Sequence, residues 1–137
     1  MTQREPHTHS PYGQLVGTRV VHADRERGTI EIEYETKPEF TNRIGTVAGG
    51  MIAGLLDSVT GLVANGGLPR GEFAVHTSLS VRYHSPASPG RVSGRGEVVS
   101  VSGRDIESRG ELFDEQGTRL ASAEATLRVI RNPKKDG

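Results

Sequence analysis

The part of the sequence best suited to chemistry is a segment in which glycines surround one carboxylate. Gly49 and Gly50 precede this segment, and Asp57 lies within it, seven residues after Gly50. If the segment is a helix, the two glycines expose backbone N–H groups at a terminus that carries a partial positive charge. Such a terminus suits an oxyanion or a polarised carbonyl group. A loop that only needs glycine torsions explains the Gly-Gly pair equally well, so the pair alone is weak evidence.

The segment from residue 47 to about residue 64 has the 3.6-residue period of a helix. One stripe is apolar and predicts the face packed on the core: Ile52, Leu55, Leu56, Val59 and Val63. The opposite stripe holds Gly50, Gly54, Asp57 and Gly61 where a solvent-facing helix normally carries Lys, Glu and Arg. Each glycine costs ~1 kcal/mol of helix propensity, so we expect another backbone or a ligand to lie close to this stripe. We favour a partner chain; the alternative, an ordinary surface Asp57 on a poor helix, leaves the glycines unexplained.

The remaining elements that would position this helix are strands. Alternating patterns predict two strands before the helix, at residues 18–23 and 29–36, and four after it, at residues 74–84, 91–102, 104–113 and 119–130. In the second strand Ile30, Ile32 and Tyr34 share one face, while glutamates occupy the other. One helix followed by consecutive antiparallel strands predicts an α+β fold, with one sheet covered by one helix.

The same alternation places His76, Ser78, Ser80, Arg82 and His84 on one polar face of the strand at residues 74–84. Such a row more often faces solvent or a subunit than a metal ion. His7 and His9 are also too few for a metal site, so we expect no metal.

Composition excludes several classes of protein. Seventeen Lys and Arg balance seventeen Asp and Glu, so we expect no nucleic acid partner. There is no cysteine, which rules out disulfides and a Cys nucleophile. No apolar run is long enough to span a membrane, and we expect a cytoplasmic protein. A Gly-x-Ser-x-Gly nucleophile elbow, a phosphate loop and a dinucleotide fingerprint are all missing from the sequence.

Residues 42–50 (NRIGTVAGG), followed by Asp57, resemble the signature of hotdog-fold acyl-CoA thioesterases. The match is to the PaaI-like type of phenylacetate catabolism, which is related to the 4-hydroxybenzoyl-CoA thioesterases. Residues 75–87 (VHTSLSVRYHSPA) resemble the next strand of that family, and Gly103-Arg104 resembles its turn between the last long strands. The resemblance covers roughly residues 13 to 130. It implies a hotdog fold, in which a curled antiparallel sheet wraps a long helix and two chains place the active site at their seam.

The resemblance also implies roles for individual residues. Asp57 matches the catalytic carboxylate, which acts as a general base on water or attacks the thioester directly. Asn42 matches the residue that helps hold the attacking water, and the Gly49 N–H matches the oxyanion donor. His76 falls where the family commonly has Ser or Thr. Ala48 is the main departure, because relatives usually carry a His there that orients the thioester.

We therefore predict a flexible arm at residues 1–11, one hotdog thioesterase domain at 12–131 and a flexible tail at 132–137. The expected assembly is a homodimer that pairs further into a homotetramer. The expected reaction hydrolyses a small-to-medium acyl-CoA, aromatic acyl groups included, to free acid and CoA. No cofactor is expected, since CoA is part of the substrate. Ala48, Gly50 and His76 would lie beside the substrate, and Arg82 and Arg104 would meet the CoA phosphates.

Two other functions remain as alternatives. A non-catalytic acyl-CoA binding or sensing protein is favoured by Ala48, whereas retention of Asp57, Asn42 and Gly49 favours the enzyme. A hotdog dehydratase would need a His near the catalytic Asp, and the sequence shows none at the expected helix position.

Overall fold

The computed structural model describes residues 10–131, so almost all of the predicted arm and the whole predicted tail lie outside the described residues. Two helices, one short 3-10 turn (Pro38–Phe40) and six strands make up the fold. The helices are α1 (Pro11–Leu15) and α2 (Gly49–Asn65). The strands are β1 (Arg19–Asp24), β2 (Thr29–Thr36), β3 (Glu72–Tyr83), β4 (Gly90–Ser102), β5 (Asp105–Phe113) and β6 (Arg119–Arg131). The predicted strands and the long helix are confirmed to within two residues at each end.

The six strands form one antiparallel sheet in the order β1-β2-β4-β5-β6-β3, which curls around α2. This arrangement confirms the predicted α+β class and the hotdog architecture. β3 follows the helix in sequence but pairs with β6, so within residues 10–131 it lies at one edge of the sheet. No helix in this range is long and apolar enough to cross a membrane.

Alternation along the strands separates the core from the outer face of the sheet, as predicted for β2. Ile30, Ile32 and Tyr34 are buried under α2. The apolar stripe of α2 is buried against the same face of the sheet, including Leu55, Leu56 and Val59. The helix α1 was not predicted; the hydroxyl of Ser10 caps it by accepting a hydrogen bond from the Gly13 N–H at 3.0 Å.

Three strand glycines set how closely α2 approaches the sheet. A Cβ added at Gly94 would lie 2.7 Å from Val59 Cγ2, and one at Gly96 would lie 2.8 Å from Val59 Cγ1. A Cβ at Gly110 on β5 would lie 3.0 Å from the same methyl group. Val59 therefore packs directly on strand backbone, and this contact fixes the depth and rotation of the helix that carries Asp57.

The strand β3 contains an irregularity that removes His76 from the polar face predicted for that strand. His76 pairs with Leu127 of β6 and Ser78 pairs with Thr126, so Thr77 is an extra residue that has no partner opposite it. Such a β-bulge shifts the alternation of side chains by one residue. His76 consequently faces α2, as its buried partner Leu127 does, whereas Ser78, Ser80, Arg82 and His84 stay on the outer face. The prediction that His76 shares their face is wrong.

Candidate active site

The glycine stripe of α2 is covered mainly by side chains of the same chain. A Cβ at Gly54 would overlap the Tyr12 hydroxyl, and a Cβ at Gly61 would lie 3.1 Å from His76 Cε1. Nothing lies within 4 Å of a Cβ placed at Gly50. The expectation that a partner chain must cover this stripe is therefore corrected for Gly54 and Gly61, which make room for two rings of this chain.

Those two rings flank Asp57. Gly54 and Gly61 are three residues before and four residues after it, which places them on the same helix face. The Asp57 Oδ2 atom lies 3.4 Å from His76 Nδ1. The side chain of Asp57 is 57% exposed and that of His76 is 20% exposed. Asp57 is thus held by one defined partner while its carboxylate stays accessible to water or to a substrate.

His76 is itself held from the other side of its ring. His76 Nε2 lies 2.8 Å from the Thr60 hydroxyl oxygen. Thr60 is fully buried, and its hydroxyl donates to the Leu56 carbonyl at 2.8 Å, within the same helix. The β3 bulge and the helix therefore place one imidazole between a buried hydroxyl and an accessible carboxylate. The His beside Asp57 comes from the strand β3 and not from the helix, whose sequence contains none.

Two tyrosines complete the surroundings of Asp57. Burial, with a further contribution from the Asp57 charge, raises the pKa of Tyr12. Burial also raises the pKa of Tyr34 strongly, and the charges of Tyr12 and Asp57 act in the same direction. The Tyr34 hydroxyl donates to Ser58 Oγ at 2.8 Å. A hydrogen bond from the Ser58 hydroxyl to the ionised Tyr34 oxygen would lower the pKa, but this effect is smaller than that of burial. Both phenols therefore remain neutral at physiological pH.

The N-terminus of α2 presents the second feature of the site. Ala48 is the N-cap residue and makes no side-chain cap hydrogen bond. Its carbonyl accepts from the Met51 and Ile52 N–H groups at 2.9 and 3.1 Å. The Tyr83 hydroxyl donates to the Gly49 carbonyl at 2.8 Å and thereby ties the helix start to the end of β3. Among residues 10–131, no acceptor is bonded to the Gly49 N–H, as is usual in the first turn of a helix.

Asn42 organises the loop before this terminus. Its Oδ1 accepts hydrogen bonds from the Ile44 and Thr46 N–H groups at 3.1 and 3.2 Å. Its Nδ2 donates to the Thr46 hydroxyl at 2.9 Å, which leaves one amide hydrogen for another acceptor. These contacts give Asn42 the role of a turn residue within the single chain.

The Gly49 N–H and the Asp57 carboxylate lie far apart on one chain. Gly49 and Asp57 are eight residues apart on α2, which corresponds to about 12 Å along the helix axis at ~1.5 Å per residue. A reacting carbonyl needs its oxygen within ~3 Å of the donor and its carbon near the attacking oxygen.

The two arginines lie apart from Asp57. Arg82 is exposed on the outer face of the sheet, in a groove that it shares with Arg95, Arg109 and Arg119. Asp57 lies on the opposite, helix-bearing side of the same sheet. Arg104, at the turn between β4 and β5, donates from Nη1 to the Val129 carbonyl at 3.3 Å. Within residues 10–131, no group of three or more His, Cys, Asp or Glu side chains could hold a metal ion.

Sequence reasoning missed Tyr12, Thr60 and Tyr83. The sequence did contain a signal for the two rings beside Asp57. Glycines placed three before and four after a helical carboxylate make space for rings on both sides of it. Nothing local to Tyr12 indicates that it supplies one of those rings.

Comparisons with known proteins agree with this architecture. A phenylacetic acid degradation-related protein of Ralstonia eutropha is 28% identical, with 87% of this chain and 90% of that chain covered and a TM-score of 0.84. The PaaI protein from the phenylacetic acid degradation operon of E. coli is 15% identical, with 90% and 87% covered and a TM-score of 0.82. A Streptococcus mutans protein, in a structure bound to acetyl CoA, is 22% identical, with 84% and 90% covered and a TM-score of 0.75.

At the level of sequence, no curated protein matches the chain significantly. The family model of the thioesterase superfamily, however, matches residues 44–121, which is more than half of the chain. The matched range contains α2 with Gly49 and Asp57, and β3 with His76. The chain belongs to the thioesterase superfamily.

Proposed function

We propose that the protein hydrolyses acyl-CoA thioesters with small-to-medium acyl groups, aromatic ones included, to the free acid and CoA. One observation carries the proposal: a member of the thioesterase superfamily holds an accessible Asp57 carboxylate beside His76 on a glycine-lined helix face. The likeness to a phenylacetic acid degradation-related protein supports an aromatic acyl group. A protein of the same fold bound to acetyl CoA supports a CoA thioester as the substrate.

The proposed chemistry assigns one task to each group. Asp57 takes a proton from the water that attacks the thioester carbonyl, or its carboxylate attacks that carbon directly and water then hydrolyses the resulting anhydride. The Gly49 N–H donates to the carbonyl oxygen as negative charge develops on it. The C–S bond then breaks and the CoA thiolate leaves and takes up a proton. These steps use water and groups of the chain, so the proposal includes no metal or redox cofactor.

The proposed site lies between two chains. The separation of about 12 Å between Gly49 and Asp57 along α2 supports this arrangement, because a second copy can bring its own Gly49 to Asp57. β3 supports it too: an edge strand of twelve residues offers unpaired backbone groups to a second β3. Pairing of two identical edges is symmetric and closes a homodimer, and two such dimers would form the homotetramer.

The remaining candidate residues have proposed roles in positioning the substrate. Gly50 has open space around its Cα and so allows a ligand to approach the start of α2. Ala48, beside the free Gly49 N–H, leaves room next to the thioester where relatives carry a larger side chain. Asn42 has one amide hydrogen left for the attacking water. We propose that Arg82 or Arg104 contacts the CoA phosphates in the assembled protein.

A panel of alkyl- and aryl-CoA thioesters with thiol detection tests the proposal. We expect wild type to release CoA from at least one member, and Asp57→Asn to lose about 10²-fold or more of that rate. Asp105→Asn is the matched control, since Asp105 is also an exposed, ion-paired aspartate but lies on β5. Equal rates in wild type and Asp57→Asn would remove Asp57 from the mechanism. Binding of acyl-CoA without turnover of any member would instead identify a non-catalytic acyl-CoA binding protein.

The Asp57–His76 contact also favours a second candidate, a hotdog dehydratase, because it supplies the His that the sequence alone did not show. A 3-hydroxyacyl-CoA in the same panel separates the two reactions. Formation of the enoyl product without release of thiol would identify the dehydratase, whereas thiol release without enoyl product supports the thioesterase.

A further inference from the structure

Thr60 bonds the Nε2 side of the His76 imidazole. Its hydroxyl oxygen lies 2.8 Å from His76 Nε2, 2.8 Å from the Leu56 carbonyl oxygen and 3.3 Å from the Asp57 carbonyl oxygen. The hydroxyl has one hydrogen to donate. If that hydrogen stays within the helix, on the Leu56 carbonyl, Nε2 is the donor of the bond between Thr60 and His76. In a neutral imidazole with a proton on Nε2, the other nitrogen, Nδ1, bears a lone pair.

That lone pair faces Asp57. With His76 Nδ1 at 3.4 Å from Asp57 Oδ2, an ionised carboxylate and a neutral imidazole would set two acceptors against each other. The contact becomes favourable only when a proton lies between these two atoms. We propose that Asp57 and His76 act as one proton-sharing pair, in which Thr60 keeps Nε2 protonated so that Nδ1 exchanges a proton with Asp57.

This inference rests on the proposed function when it is applied to catalysis. The pair without its shared proton is the active base. The water oxygen attacks the thioester carbon, its proton passes to Asp57 and is shared with Nδ1, the C–S bond breaks, and the same proton goes to the CoA thiolate. In this step His76 acts through Asp57 and is a positioning residue.

The pH dependence of kcat/KM reports on the pair. The titratable groups that face Asp57 are His76 from β3, Tyr12 from α1 and, through Ser58, Tyr34 from β2. Raised pKa values keep both tyrosines neutral across the acid and neutral range, so they do not produce an acid limb. The acid limb therefore distinguishes a shared proton from an isolated carboxylate.

The first experiment compares wild type with His76→Gln. We expect the acid limb of His76→Gln to lie at lower pH than that of wild type, and its plateau kcat to fall by about 10²-fold, the lower end for a positioned acid–base group. KM should change less than kcat, because the proposed role of His76 is to share the proton that Asp57 takes up. An acid limb at the same pH in both proteins would overturn the proposal.

The second experiment does not require activity. Nitrogen-15 NMR of the imidazole rings above their titration range shows which nitrogen of His76 carries the proton. We expect the Nε2–H form in wild type and in Thr60→Ser, which keeps the hydroxyl, and the Nδ1–H form in Thr60→Val, which removes the acceptor. The Nδ1–H form in wild type would overturn the proposal. If wild type cleaves no thioester, the proposed function fails, while this measurement still decides the state of the pair.

Discussion

Gly94→Ala tests whether the contact of Val59 with the strand glycines positions α2. The added methyl carbon would lie 2.7 Å from Val59 Cγ2, whereas carbon atoms in contact prefer ~3.5–4.0 Å. Tyr34 Cε2 at 3.3 Å and Leu112 Cδ2 at 3.4 Å prevent it from moving sideways. Val59 has little room to retreat, because its Cγ1 would lie only 2.8 Å and 3.0 Å from Cβ atoms placed at Gly96 on β4 and Gly110 on β5.

The expected magnitude follows from two opposing effects. Overpacking of a closed core costs about 1–3 kcal/mol, and this site lies at the upper end because it is blocked on three sides. Replacement of glycine within a strand regains about 0.5–1 kcal/mol of backbone entropy. We therefore expect Gly94→Ala to lower the free energy of unfolding by about 2 kcal/mol in urea titrations with an unchanged m-value. Gly67→Ala is the control, since nothing lies within 4 Å of its added Cβ, and we expect a change within about 0.5 kcal/mol.

A double-mutant cycle identifies the cause. Val59→Ala removes both methyl groups that meet the strands and should cost about 2 kcal/mol as a cavity mutation. In the double variant the new methyl at residue 94 occupies part of that cavity. We therefore expect the double variant to lose at least about 1 kcal/mol less of its free energy of unfolding than the sum of the losses in the two single variants. Strict additivity would refute the reasoning, because it would show that the two side chains do not meet.

Four other predictions concern pH, substrate preference, CoA binding and assembly. Because the pKa of Tyr34 is raised in the folded chain, the unfolded chain loses this proton first, and stability should fall as pH rises above about 10; Tyr34→Phe should flatten that fall in denaturant midpoints measured from pH 8 to 11. Ala48→His should change the ratio of kcat/KM between aryl and alkyl substrates by about tenfold or less, since a neutral hydrogen bond is worth ~0.5–1.5 kcal/mol; strong activity created only by the substitution would mark the natural protein as a binder. Charge reversal at Arg82 or Arg104 should raise KM for acyl-CoA more at low salt than at high salt; an unchanged KM in both variants would remove both residues from CoA binding. Sedimentation at micromolar concentration should give a species of at least twice the mass of one chain, and a monomer alone would contradict a site shared between chains.

The elements of the fold could be predicted from the sequence because their signals are local. The alternation of Ile30, Ile32 and Tyr34 against glutamates requires only the pleat of one strand. The helical period from residue 47 and the glycines that interrupt the chain after residue 65 likewise act over neighbouring residues. The position of Asp57 among helical glycines was also visible in the sequence, because it requires only the helical period.

The partners of Asp57 were decided by the tertiary structure. His76 reaches the helix only because Thr77 is an extra residue in the pairing of β3 with β6, and that register depends on a strand some fifty residues away. Nothing in the local sequence around Thr77 marks a bulge, so the regular alternation of a strand gave the wrong face. Tyr12 likewise covers Gly54 only because the chain before β1 returns across α2. A local period determines which elements form and which face is apolar, whereas contacts between distant elements determine which side chains share a proton.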